Sequence, residues 1–287
     1  MKKETLESVR KWAVERLTEA QIPEPLASVD ILLSHVLKKE RAYLYMNTSR
    51  DLDFSETNLF RMLIERRSAH EPLQYITGVQ EFWSLSFQVE SGVLIPRPET
   101  EILIECILNK IGLLSEVSID ILDIGCGSGV LSIILAREFK NANIMAVDIS
   151  EKALEISMKN AKSHDVFQRI QYSKSDLFSD LLPQSFDLIV SNPPYIKETD
   201  WKKLPPQVRN YEPKKAFMGG HTGIDVHRKI IREAPSFLKS GGHLLMEISP
   251  EQSQDLLQEF QKYSCYSFAK VYSDYEKRER VILASYV

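Results

Sequence analysis

The stretch Ile119-Asp120-Ile121-Leu122-Asp123-Ile124-Gly125-Cys126-Gly127-Ser128-Gly129 decides how the chain reads. A short apolar run meets three glycines at alternate positions, and Leu131–Phe139 then follows with helical spacing. That is a strand, a tight turn and the start of a helix. The same alternation continues outward. Strands are predicted at Asn143–Val147, Ile170–Ser173, Phe186–Ser191 and Gly242–Ile248, with a helix over Glu151–His164. Ser267–Val271 and Arg280–Tyr286 read as a closing pair. Together these make seven strands. Strands alternating with helices imply an α/β class and a mostly parallel sheet covered on both faces.

Upstream the pattern changes twice. Residues 1–72 read as a small helical domain. Leu6, Val9, Ala13 and Leu17 share one helix face, and Leu26, Val29, Leu33, Val36 and Leu37 follow the helix-starting Pro23 and Pro25. A third run, Leu59, Met62 and Leu63, is expected behind an N-cap at Ser55. Residues 73–95 read as a β-hairpin linker, with Phe82, Leu85, Phe87 and Val89 flanked by Gly78 and Gly92. Residues 96–287 form the α/β domain. Their entry, Pro96-Arg97-Pro98-Glu99-Thr100-Glu101, resists helix until Pro98, after which one is expected from Thr100 to Ile111.

Composition narrows the functional classes. In 287 residues, 43% are apolar, enough for a sizeable core. Lys and Arg number 36 against 40 Asp and Glu, a net charge of −4, which excludes a wholly basic nucleic-acid coat. The helical start is neutral, so the remainder carries that charge. No run approaches the roughly 18 apolar residues of a membrane span, and Met1-Lys2-Lys3-Glu4 leads into charged residues with no apolar signal core. Cys106, Cys126 and Cys265 make neither a zinc pattern nor a disulfide framework, the six histidines show no metal spacing, and no metal is expected. A reducing cytoplasm is the expected compartment.

Three groups of residues carry the chemistry. Gly125–Gly129 lets a ligand approach the backbone closely at the carboxyl end of a strand. Asp148, about 20 positions on, suits two ribose hydroxyls, though an acid before Ser150 also suits a helix N-terminus. These two features fit a nicotinamide cofactor or S-adenosylmethionine equally. The third group, Asn192-Pro193-Pro194-Tyr195, follows the fourth predicted strand. Its prolines have carbonyl acceptors but no N–H, Asn192 adds an acceptor and a donor, and Tyr195 adds a ring. Such a turn can accept both hydrogens of a planar –NH2 group.

Asn-Pro-Pro-Tyr in this position resembles the motif of S-adenosylmethionine-dependent methyltransferases acting on planar amino or amide nitrogens. The whole chain is similar to one branch, the peptide chain release factor glutamine N5-methyltransferases. The likeness is carried by Gln74-Tyr75-Ile76-Thr77-Gly78, Phe82-Trp83, Ile95 to Glu101, Glu212-Pro213, Ala216, Gly219-Gly220 and Gly223. The resemblance implies a Rossmann-like class I methyltransferase sheet and transfer of a methyl group to the Gly-Gly-Gln glutamine of release factors. It implies that the helical domain docks the factor, with no membrane or direct nucleic-acid partner, and a monomer is expected. It places Gly125, Cys126, Gly127, Ser128 and Gly129 at the methionine part of the cofactor and Asp148 on its ribose. Asp176 and Leu177 fall near adenine, with Asn192 adjoining the cofactor. Asn192, Pro193, Pro194 and Tyr195 hold the substrate amide and form the catalytic turn. Cys126 stands where threonine is frequent in the family, and Leu177 where a larger ring can pack.

Glu99, Glu101 and Glu212 are acidic candidates for a proton acceptor but read first as structural. Cys126 and Cys106 read as packing residues, His221 as a surface histidine, and Lys277–Arg280 as a solvated turn. A nucleic-acid amino-methyltransferase, a nicotinamide-dependent oxidoreductase and a non-catalytic docking protein are the competing readings. Only the first of these gives Asn-Pro-Pro-Tyr a task.

Overall fold

The structure, a computed structural model, describes residues 4–111, 118–182 and 184–287, which divide into two compact units. The first runs to Val79 and also takes in Pro205–Tyr211; the second comprises Gln80–Leu204 and Glu212–Val287.

The first unit is helical: α1 (Leu6–Glu19), α2 (Pro25–Leu37), α3 (Arg41–Met46), α4 (Phe54–Ser68) and α5 (Leu73–Thr77), joined by a short helix over Pro206–Tyr211. Leu6, Val9, Ala13 and Leu17 of α1 are fully buried, as their spacing requires. Pro25 occupies the first position of α2. The expected third helix needs correction. Its N-cap is Asp53, whose Oδ1 accepts from Glu56 N while Glu56 Oε2 accepts from Asp53 N, and this reciprocal pair outcompetes Ser55. The buried stripe is Phe60, Leu63 and Ile64, whereas Leu59 and Met62 are exposed. The expected linker also begins differently. Leu73–Thr77 is helical and ends at Gly78 (φ +78°), so the hairpin is confined to β1 (Val79–Phe82) and β2 (Leu85–Gln88).

The second unit continues with α6 (Glu101–Ile111), β3 (Asp120–Ile124), α7 (Val130–Glu138), β4 (Asn143–Asp148), α8 (Glu151–Ser163), β5 (Ile170–Lys174) and β6 (Phe186–Ser191). After α9, the helix at Pro206–Tyr211 that belongs to the first unit, come α10 (Asp225–Glu233), β7 (Leu238–Glu247), α11 (Ser253–Phe260), β8 (Tyr266–Ser273) and β9 (Glu279–Tyr286). The seven strands from β3 to β9 form one sheet in the order β5-β4-β3-β6-β7-β9-β8, parallel except for β9, which runs antiparallel to both of its neighbours.

Strand alternation assigns the two faces. Ile121, Leu188 and Val190 pack with Leu103 and Ile107 of α6, Ile133 of α7 and Leu154 of α8. Leu122, Ile124 and Ile189 pack with Ile230 of α10 and Leu256 of α11 on the opposite side. Each fully buried Leu or Ile contributes about 1.5–3 kcal/mol. β7 begins four residues before its expected start, because Gly241 (φ +80°) lets the chain cross a register shift opposite Phe186–Leu188. Among the described residues no helix is long and apolar enough to cross a membrane.

Candidate active site

The sheet reverses direction of growth between β3 and β6, where an open α/β sheet forms a crevice at the strands' carboxyl ends. Pairing of Ile124 with Val147 and with Ser191 places the turns after β3, β4 and β6 side by side. The Ser191 hydroxyl donates to Ile124 O at 2.7 Å, and Ser175 N donates to Asp148 O at 3.1 Å. Gly125–Gly129, Asp148 and Asn192 are therefore neighbours, with the segment after β5 next to Asp148.

The glycine loop is held by its own backbone. Gly125 N and Cys126 N both donate to Val147 O, and Gly129 N donates to Cys126 O. Gly127 N donates to Asp148 Oδ2 at 2.9 Å, while Oδ1 of the same carboxylate accepts from Ser150 N at 2.8 Å. Asp148 therefore acts at the helix N-terminus and anchors the loop as well. Burial raises its pKa above the usual carboxylate value, and these backbone donors oppose the rise. Gly129 has φ +86°, and a Cβ there would overlap the Ser157 side chain. Space is open at the Cβ position of Gly125. Asn160 Nδ2 reaches Ser128 O at 2.9 Å and closes the loop from α8.

Other cofactor-side expectations divide. Asp176 is exposed, and Leu177 is half-buried with φ +54°. Phe178 is buried and stacks on Phe237 at 4.8 Å, so its ring belongs to the core. Cys126 is buried, and burial pushes its thiol well above the ordinary value, which removes it as a nucleophile. Asp123, inside the quoted stretch but given no role above, is fully buried at the end of β3. Burial lifts its pKa to about 7 against hydrogen bonds from Ser132, and Oδ1 has no partner among the described residues.

Side chains from distant segments hold the Asn192 turn. Asn192 Nδ2 lies 3.0 Å from Thr100 Oγ1, which lies 2.6 Å from Glu247 Oε2. The threonine hydroxyl has one proton. Thr100 donates to Glu247 and accepts from Asn192. This order holds Asn192 Nδ2 on Thr100. Glu247 is 1% exposed. Burial raises its pKa to about 7, with Thr100 opposing and Glu99 adding to the rise. Tyr195 OH approaches Glu247 Oε1 at 3.4 Å, and burial raises its phenol pKa as well. Fully buried His227 contacts Glu247 O at 2.9 Å; burial lowers its pKa to about 4, so it is neutral and donates through Nε2. Gln252 Nε2 donates to Tyr195 O at 2.8 Å. A Cβ at Gly219 would lie 2.8 Å from Pro194 O, so the Gly219–Gly223 loop packs closely beneath the prolines.

A small cleft opens at this turn, lined by Asn192, Pro193, Tyr195, Arg97, Ala216 and Phe217 among others. The acidic candidates are engaged elsewhere. Glu212 is clamped by Arg97 and by Ile95 N, Glu101 accepts from Trp83 N at 2.7 Å, and Glu99 faces Arg280 at 4.0 Å. Among the described residues no carboxylate lines the cleft. Thr100 lay within a motif read from the sequence, and Glu247 ends an apolar strand, an unusual place for an acid. Gln252 carried no local signal.

A family model described as the PrmC N-terminal domain matches residues 8–78, and one described as the methyltransferase small domain matches residues 98–204. The release factor glutamine methyltransferase of Chlorobaculum tepidum is 37% identical over 277 residues, covering 94% of this chain and 93% of the relative. That of Koribacter versatilis is 41% identical, over 85% of this chain and 86% of the relative.

The chain belongs to the release factor glutamine methyltransferase family.

The fold agrees with that membership. A methyltransferase from Pyrococcus furiosus superposes with a TM-score of 0.55 at 18% identity, over 77% of this chain and 98% of that one. In this glutamine methyltransferase family member, the Asn192 turn and the glycine loop occupy adjacent strand ends of the shared sheet.

Proposed function

We propose that the protein transfers a methyl group from S-adenosylmethionine to the side-chain amide nitrogen of the Gly-Gly-Gln glutamine in peptide chain release factors. The observation that carries this reading is the hydrogen-bonded chain from Glu247 through Thr100 to Asn192, a residue that also lines the cleft. A glutamine amide is planar and donates two hydrogens, so Asn192 Oδ1 and the Pro193 carbonyl suit it, with Tyr195 beside its plane and Pro194 stiffening the turn.

The loop fits the methyl donor better than a dinucleotide. The amides of Gly125, Cys126, Gly127 and Gly129 are all satisfied internally, which suits an uncharged ribose and a methionine chain more than a pyrophosphate. Open space at Gly125 leaves room beside the backbone for the methionine portion, with Cys126 and Ser128 in the same turn. The Asp148 carboxylate has lone pairs left for ribose hydroxyls, and Asp176 and Leu177 lie on the adenine side. When bound, S-adenosylmethionine supplies an electrophilic methyl group on a sulfonium.

The amide nitrogen is a poor nucleophile because its lone pair is shared with the carbonyl. Asn192 and Pro193 accept from its two N–H bonds, and these bonds strengthen as positive charge develops on nitrogen. One preorganised hydrogen bond of this kind is worth about 2.7–4 kcal/mol in the transition state. Holding the nitrogen in line with the methyl supplies a further share of the acceleration. Methyl transfer to the amide nitrogen would leave the electron pair of the broken S–C bond on sulfur and release the amide proton to solvent. In this reading residues 1–72 dock the factor, in the cytoplasm, with the protein as a monomer.

Mass spectrometry of an unmodified release factor, after incubation with the protein and S-adenosylmethionine, tests the reading. A single added methyl on the Gly-Gly-Gln glutamine is expected. Methylation of RNA or DNA in its place would move the reaction to the nucleic-acid amino group.

A further inference from the structure

One buried carboxylate stands behind both polar side chains of the Asn192 turn. Glu247, at the end of β7, is 1% exposed and is not among the residues lining the cleft. Its Oε2 accepts from Thr100 at 2.6 Å and its Oε1 from Tyr195 OH at 3.4 Å. Thr100 in turn accepts from Asn192 Nδ2 at 3.0 Å. The other charged and titratable groups facing this carboxylate come from three further places. Glu99, one position before Thr100, opposes its charge, and Arg280 on β9 favours it. Arg280 is itself shared with Asp274 at 3.0 Å and with Glu99 at 4.0 Å. His227 on α10 meets the Glu247 backbone oxygen and is neutral.

Both side-chain hydrogen bonds run towards Glu247, and only an ionised carboxylate accepts on both oxygens with no hydrogen of its own. A proton on either oxygen reverses one of them. On Oε2 it makes Glu247 the donor to Thr100, and the displaced threonine hydrogen finds no acceptor in Asn192 Nδ2. On Oε1 it points at Tyr195 OH and turns the phenol hydrogen away. In either case one side chain of the turn loses its fixed direction. Burial brings this choice into the neutral range, because it raises the Glu247 pKa to about 7.

We infer that Glu247 is a positioning residue for methyl transfer: as a carboxylate it fixes Asn192 through Thr100 and Tyr195 directly, and on taking up a proton it releases one of them. The inference rests on the reaction proposed above. It separates Glu247 from a merely structural acid, because the two roles run in opposite directions with pH. The fold is more stable with Glu247 protonated, whereas transfer needs it ionised.

The test follows the full-length, 15N-labelled protein from about pH 5.5 to about pH 8.5 at constant ionic strength, a range that brackets the titration. The Asn192 side-chain amide signal is read in the free protein. Single-turnover transfer to an unmodified release factor is measured at saturating S-adenosylmethionine. The amide signal should shift with a midpoint near 7. The maximal transfer rate should rise about tenfold over the same range, at an unchanged half-saturating concentration of factor, while the urea midpoint falls. Glu247→Gln is neutral throughout. It should hold the amide signal constant and transfer near the low-pH rate of the parent protein. The titration of the parent protein needs no variant, so the test stays decisive even where Glu247→Gln fails to fold. If the factor gains no methyl group at any pH, the reaction proposed above has failed; an amide signal that titrates, and stops doing so in Glu247→Gln, then still supports the coupling of Asn192 to Glu247. An amide signal that ignores pH or keeps titrating in Glu247→Gln overturns the inference. So does a variant rate equal to that of the parent protein at the alkaline end of the range.

Discussion

The glycine loop and the Asn192 turn stand on neighbouring strands, yet they are held in opposite ways. The loop is fixed by backbone: its amides close on Val147 O, Cys126 O and Asp148, and its positive φ angles fall on glycine. The turn is fixed by side chains reaching in from elsewhere, Thr100 from before α6, Glu247 from the end of β7 and Gln252 from before α11. A cofactor contacted through main chain needs the first kind of rigidity. An amide that must be held at one angle while charge develops on it needs the second, because only a side-chain network orients another side chain.

That contrast can be broken at either end. The largest effect is expected at Asn192→Ala, which should slow single-turnover methyl transfer by roughly 10²–10³-fold with the S-adenosylmethionine dissociation constant nearly unchanged; parallel loss of cofactor binding would merge the two regions into one.

Glu247→Gln comes next, read as stability against pH. The folded pKa of Glu247 is raised from 4.5 to about 7, so between those values the native state binds more protons than the unfolded chain. Stability from this group is present below 4.5 and is lost as pH rises through about 7, by up to about 3 kcal/mol. The variant should flatten that part of a urea-denaturation pH profile, leaving the similar contribution of Asp123, which burial also raises to about 7. An unchanged slope would remove Glu247 as a buried titrating group.

Asp148→Ala should weaken cofactor binding by about 1.5–3 kcal/mol in calorimetry, the scale of hydrogen bonds to a charged group. The loss combines the ribose contact with the anchor to Gly127 N. The smallest effect is expected at Thr100→Val, a fall in kcat of about tenfold with cofactor affinity retained. Thr100→Ser should restore the rate, since it keeps the hydroxyl that relays orientation. Failure of that rescue would mean that Thr100 acts by packing.

The same contrast explains what the sequence made legible. The parallel sheet and the cofactor side were readable because their determinants are local: apolar runs, glycines at alternate positions, and an acid one strand later. The Asn192 turn was recognisable as a motif, but its supports were not, because Thr100, Glu247 and Gln252 lie up to 92 residues away and join it only through the sheet. In the helical unit, the apolar residues chosen for the third helix were partly misassigned. Leu59 and Met62 obey helical spacing as well as Phe60 and Ile64 do, and hydrophobicity alone does not say which face is covered. Its N-cap was misplaced because Asp53 is decided by the return bond from Glu56, a pairing that precedes the apolar run.

The most direct test is a crystal structure of the protein with S-adenosylhomocysteine and a Gly-Gly-Gln peptide. The account predicts the glutamine side-chain nitrogen within hydrogen-bond distance of Asn192 Oδ1 and the Pro193 carbonyl, with Asn192 Nδ2 still on Thr100. A glutamine amide bound away from Asn192, or an Asn192 turned to present its Nδ2 to the peptide, would contradict it.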